Sequence, residues 1–164
     1  FKYLSSGVDL LKFGISTSNS GCKIFHDFFN QLLIDEINKK SIAHKNSFLV
    51  PVLLTLRKFK LSLLESILST NFSDFYYGIM IDTQLKKNMS LFDILTVKDI
   101  LEIKKMCAEK KLHFGIAGSL KFSDINTIKH ISPSWAGFRG GVCETNRESD
   151  LCKNKLKKIK LAIC

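Results

Sequence analysis

Apolar runs of strand length alternate along this chain with longer stretches in which apolar positions recur every three or four residues. "VDLLKFGI" (Val8 to Ile15) precedes "CKIFHDFFNQLLIDEINKK", where Phe25, Phe28, Phe29, Leu32, Leu33 and Ile37 form one helical stripe. "SFLVPVLLTL" precedes "KLSLLESILS", and "YYGIMIDT" precedes a polar loop and then "TVKDILEIKKMCAEKK". "LHFGIAG" precedes "FSDINTIKHI", and "WAGFRGG" precedes a lysine-rich tail. These are five strand–helix units, without Asn-Gly hairpin signals between them. The pattern predicts an α/β protein with parallel strands joined by helical crossovers. Continuous rather than alternating apolar runs, as in "FLVPVLL" and "GIMI", fit strands buried on both faces. Pro51 weakens the second run, because proline removes a ladder donor. Five units alone build an open sheet, whereas a closed (β/α)8 barrel needs eight strands.

With 45% hydrophobic and 24% charged residues, the 164-residue chain has the composition of one globular domain. It begins at Phe1 and enters at once on "YLSSGVDLLKFGI", which reads as the interior of a domain whose start lies upstream. No apolar run reaches the roughly 18 residues of a membrane span, and no charged-then-apolar leader opens the sequence. The five cysteines (Cys22, Cys107, Cys143, Cys152 and Cys164) contain no C-x-x-C pair, which argues against a disulfide framework or zinc site and for a cytoplasmic location. A net charge of +10 raises nucleic acid as a partner. The plainer account treats Lys153 to Lys160 as the wet face of a terminal helix whose Leu151, Leu156, Ile159 and Ile163 face inward. No aromatic interleaving accompanies the charge, so neither nucleic acid nor membrane is expected as a partner.

Polar residues interrupt the apolar runs near their predicted ends, where chemistry collects in parallel folds. Lys12 precedes Gly14 inside an apolar strand, and a lysine taken out of water there can act as a base or an amine nucleophile. It can equally snorkel outward or pair with Asp9. Asp82 closes "GIMIDT" and Lys86 follows four residues later, a carboxylate and an ammonium able to share one rim as proton acceptor and oxyanion partner. An aspartate there also serves as a cap. His26, His44, His113 and His130 show no metal-ligand spacing, and neither metal nor cofactor is expected; Trp135 reads as a packing residue. Two glycine turns, "GIAGSL" and "GFRGGV", stand about twenty residues apart. Gly118, Ser119, Gly140 and Gly141 can offer backbone amides to a phosphate, and Arg139 a bidentate charge contact. Loops after the last two strands hold phosphate in many barrels.

With "GVDLLKFGI", "GIMIDTQLKKNMSLFDIL", "GIAGSLKFSDI" and "GFRGGVC" in this order, the chain resembles the (5-formylfuran-3-yl)methyl phosphate synthase family from Gly7 to about Lys160. The resemblance implies a (β/α)8 TIM-type barrel of which residues 1–164 would be a single partial domain lacking the first strands. It implies a lyase-type, Schiff-base enzyme that condenses two glyceraldehyde 3-phosphate molecules on the way to methanofuran. Lys12 in "DLLKFG" stands where the family has its proton acceptor, and Asp82 and Lys86 match its active-site Asp and Lys. The family's Schiff-base lysine precedes the position of Phe1, which makes these 164 residues alone an expected inactive piece. "KN" at Lys87 and Asn88 departs from the family's acidic-glycine pair, and "STSNSGCKIFHDF" and "CETNRESDLC" look individual. Another phosphate-binding aldolase or isomerase barrel, or an inactive relic acting as a basic binding module, stays open as an alternative, as does a homo-oligomer.

Overall fold

The computed structural model describes residues 9–17, 48–56, 61–69, 76–84, 89–146 and 148–163. Five strands, β1 (Leu10–Ser16), β2 (Phe48–Thr55), β3 (Gly78–Thr83), β4 (His113–Ala117) and β5 (Trp135–Gly137), pair in chain order, every neighbour parallel. The helices are α1 (Leu61–Leu68), α2 (Leu91–Ile94), α3 (Val97–Glu109), α4 (Ile125–Ile131) and α5 (Lys153–Ile163). The helix expected over "CKIFHDFFNQLLIDEINKK" lies outside the described residues, as do Lys86, Lys87, Asn88, His26 and His44.

The main core lies on one face of the sheet. Ile15, Leu53, Ile79, Ile81, Phe114 and Ile116 from the strands pack there against Leu64 and Ile67 of α1, Ile100, Ile103 and Cys107 of α3, and Ile128 and Ile131 of α4. Helix α3 forms because these apolar positions fall three and four apart, and because Thr96 caps it: the Thr96 hydroxyl accepts from Asp99 N–H at 3.2 Å while Asp99 accepts from Thr96 N–H at 3.0 Å. The chain leaves α3 through Lys111 at φ 57° and leaves α4 through Ser132 at φ 49°, the left-handed exit that helices commonly use. Lys104 donates to the Ile131 carbonyl at 2.7 Å, tying the end of α4 to α3. Burial pushes the Cys107 thiol up to about 12.

The opposite face carries a smaller cluster built by the strands alone, with Val50, Val52, Met80 and Ala117 at its centre and Leu54, Tyr77 and Trp135 against it. Lys12 pairs with Val50 and Asp82 with Leu54, so both belong to this inner face. Pro51 sits within β2 after all. Its missing donor coincides with a slip in the ladder to β3: the bridge Leu49–Tyr76 and the pair Val52–Met80 differ in offset by one residue. The extra residue is a bulge that turns Tyr77 inward as well as Gly78. The Tyr77 ring stacks on His113 at 4.4 Å and lies 5.9 Å from Trp135. The Trp135 indole in turn occupies a slot floored by Gly78 and Gly115, where a methyl group on either would run into the ring.

Two expectations need correction here. Lys12 is the third residue of β1, not its end, because pairing with the apolar run of β2 continues past Gly14 to Ser16. Its side chain is exposed rather than dry. The tail does form a helix, but of its expected apolar stripe Ile159 alone is buried, against Ile125 and Val142, while Leu151, Leu156 and Ile163 are exposed. Among the described residues no helix is long and apolar enough to cross a membrane.

Candidate functional site

The carboxyl ends of β3, β4 and β5 open into one cleft of about 850 Å³. Asp82, Gly118, Ser119, Arg139, Gly140 and Gly141 all line it. Asp82 is half-buried there, and its Oδ1 accepts the Thr83 N–H at 2.7 Å, which fixes the carboxyl group against its own strand. Lys12 does not line the cleft; it belongs to the level of Val50, four residues earlier along β2 than the level of Asp82.

The first glycine turn is a tight one. Gly118 has φ 113°, and a Cβ on it would stand 2.7 Å from Thr83 Cγ2 and 3.0 Å from the Thr83 nitrogen. Ser119 follows at φ 50°, a left-handed conformation that costs a serine energy and is held here by its surroundings. The Gly118 carbonyl accepts from Leu91 N–H at 2.9 Å, which ties the start of α2 to this turn. The helix is anchored on its own side by Ser90, whose N–H donates to Asp93 at 2.6 Å. Hydrogen bonds from the Ser90 backbone and side chain hold the Asp93 carboxyl below its ordinary range.

The second turn packs against the first. Arg139 leads into a short 3₁₀ turn, Gly140–Val142, and a Cβ on Gly141 would stand 2.7 Å from the Leu120 carbonyl oxygen. The two turns therefore touch, and Gly141 is the residue that lets them. At Gly140, by contrast, a Cβ meets no protein atom within 4 Å. Gly140→Val should accordingly change stability by less than about 0.5 kcal/mol, as surface substitutions do, in a thermal melt.

Sequence reasoning passed over several lining residues. Lys121 is an exposed cation two positions past Ser119, and Ser90, Thr145 and Asn146 add polar groups. Lys121 was legible in principle as a basic residue beside a glycine turn; Thr145 and Asn146 carry no local signal of this kind. Thr83 Oγ1 and Trp135 Nε1 are buried without a hydrogen-bond partner among the described residues. Among those residues, no group of three His, Cys, Asp or Glu side chains is placed to hold a metal ion.

Comparison with known proteins places this geometry in a family context. A family model described as 4-HFC-P synthase matches residues 1–160. The (5-formylfuran-3-yl)methyl phosphate synthase of Archaeoglobus fulgidus is 33% identical over 85 residues, which cover 52% of this chain and 36% of that protein. That of Methanosarcina mazei is 33% identical over 81 residues, 49% of this chain and 35% of the relative. That of Methanococcus aeolicus is 38% identical over 64 residues, 39% and 27% of the two chains. The matched segment thus spans about a third of the length of the first two relatives.

Proposed function

The chain belongs to the 4-HFC-P synthase family, and on that premise we propose that it is the catalytic rim of a lyase-type synthase that condenses two glyceraldehyde 3-phosphate molecules into (5-formylfuran-3-yl)methyl phosphate. The five parallel strands and the described helices are part of a (β/α)8 barrel in this reading. The observation that carries it is the meeting of Asp82 with both glycine turns in one cleft at the carboxyl ends of the strands.

Atom balance sets what the site must do. Two triose phosphates become the furan by losing one phosphate and two waters, so carbon–carbon bond formation is accompanied by repeated proton transfer. The substrate phosphate rests against Gly118, Ser119, Gly140 and Gly141, with Arg139 supplying charge. In this reading the substrate carbonyl condenses, with loss of water, with the family's Schiff-base lysine, which lies outside these 164 residues, and the Asp82 carboxylate moves protons at the carbon beside it. Lys12 takes the family's proton-acceptor role from the inner face of the sheet, and Lys86 the role of second loop cation; these two assignments rest on the resemblance.

Incubating the protein with glyceraldehyde 3-phosphate and following the ultraviolet absorbance of a furan aldehyde tests the reading. Appearance of that chromophore together with inorganic phosphate is expected once the chain is joined to the family's Schiff-base lysine, and not from residues 1–164 alone. Conversion to dihydroxyacetone phosphate alone would instead assign an isomerase. Binding gives an independent check: Arg139→Ala should weaken triose phosphate binding in calorimetry by about 1.5 to 3 kcal/mol, the range for hydrogen bonds to charged groups. Equal affinity in both proteins would move the phosphate away from this turn.

A further inference from the structure

The loop between Val142 and α5, "CETNRESDLC", belongs to none of the roles above, yet two of its residues, Thr145 and Asn146, line the cleft. It is built as a closed turn. Cys143 and Leu151 form an antiparallel bridge, and Glu144 N–H donates to the Asp150 carbonyl at 2.9 Å. The Ser149 hydroxyl accepts from Thr145 N–H at 3.0 Å and Asn146 N–H at 3.2 Å, and donates to the Asn146 carbonyl at 2.7 Å. Asn146 Oδ1 accepts from Glu148 N–H at 2.9 Å and Ser149 N–H at 3.1 Å.

That last pair settles which way the amide points. An oxygen receiving two backbone N–H groups leaves the Nδ2 as the other end, and that donor has no partner among the described residues. The loop itself is held from behind. Lys155 of α5 donates to the Cys143 carbonyl at 2.8 Å and the Glu144 carbonyl at 2.9 Å, while the Cys143 thiol donates to the Arg139 carbonyl at 3.1 Å. Lys155 is thereby a strap on the cleft wall, not only part of a solvated lysine face.

We propose that Asn146 is a specificity-determining residue whose Nδ2 donates to an uncharged oxygen of the substrate, carbonyl or hydroxyl, and that Lys155 is the positioning residue that holds it there. The inference rests on the reading of the cleft as a triose phosphate site. Arg139 and the turn amides suit the phosphate, whereas a neutral amide donor suits a neutral acceptor. The consequence is selectivity for a triose phosphate over phosphate itself.

The test measures both ligands by calorimetry on the protein and three variants. Asn146→Ser keeps a side-chain acceptor for the Glu148 and Ser149 N–H groups at unchanged charge and removes the amide donor, so the loop survives. It should bind glyceraldehyde 3-phosphate about tenfold more weakly, with inorganic phosphate unchanged. Lys155→Met should lower the same selectivity ratio and Lys155→Arg should restore it, a readout that loss of stability alone leaves unmoved. Unchanged triose phosphate affinity in Asn146→Ser overturns the assignment. Equal weakening of both ligands makes Asn146 a phosphate contact and overturns it too. Failure of the unaltered protein to bind inorganic phosphate would refute the cleft reading itself, a separate outcome.

Discussion

In the chain completed with the family's Schiff-base lysine, Asp82→Asn should lower turnover by about 10² to 10⁴, the usual cost of removing a proton-transfer group, while leaving triose phosphate affinity within about twofold. The substitution is close to isosteric, and an amide oxygen still accepts the Thr83 N–H that the carboxylate accepts at 2.7 Å. What is lost is basicity at a half-buried position on the cleft. Steady-state kinetics alongside calorimetry separates the two effects: kcat should fall and Kd should hold. Full turnover in Asp82→Asn would exclude the residue from proton transfer. Lys12→Ala sharpens the comparison, because Lys12 shares the inner face but stands four residues away in register. A comparable kcat loss with substrate still bound is expected if its long side chain serves the same centre. Unchanged turnover would leave Asp82 as the base.

A second large effect is expected at Gly115. Alanine there puts a methyl group into the Trp135 indole, which also lies close to Gly78. Overpacking of this kind costs about 1 to 3 kcal/mol, equivalent to a fall in Tm of roughly 2 to 12 °C for a domain of this size. Trp135→Leu should be destabilising alone, since it empties the slot and removes the stack with Tyr77, yet it should relieve Gly115→Ala when the two are combined. A double-mutant cycle in urea should give a coupling of about 0.5 to 3 kcal/mol. Additive effects would show that the indole moves aside at no cost.

The strands and the described helices other than α2, which lies in the stretch read as a polar loop, were legible in the chain because their signal is local. "FLVPVLL", "GIMIDT" and "HFGIA" are continuous apolar runs, and Ile100, Ile103 and Cys107 repeat at helical spacing; such patterns survive in one dimension. Parallel pairing followed from the helical crossovers, and the family resemblance from four motifs in order. Asp82 and the two glycine turns were also readable, since a strand that ends on a polar residue or glycine announces its rim.

The remainder depended on what one unit places against another. Lys12 was grouped with the polar residues near the strand ends, but β1 continues past it wherever β2 offers a partner, a matter of register. The bulge that turns Tyr77 inward arises between two strands, opposite a proline in the other. Of the glycines, "GG" at 140 and 141 says nothing about which one is crowded; the Leu120 carbonyl from the preceding turn decides that it is Gly141. Lys155 reads as one lysine among five in the tail, and only the carbonyls of Cys143 and Glu144, brought beneath it by the loop, make it a strap. Periodicity by itself determined the elements, their direction and the rim. Contacts between residues distant in sequence decided which side chains enter the cleft, because close approach and hydrogen-bond partnership are properties of pairs that no single segment contains.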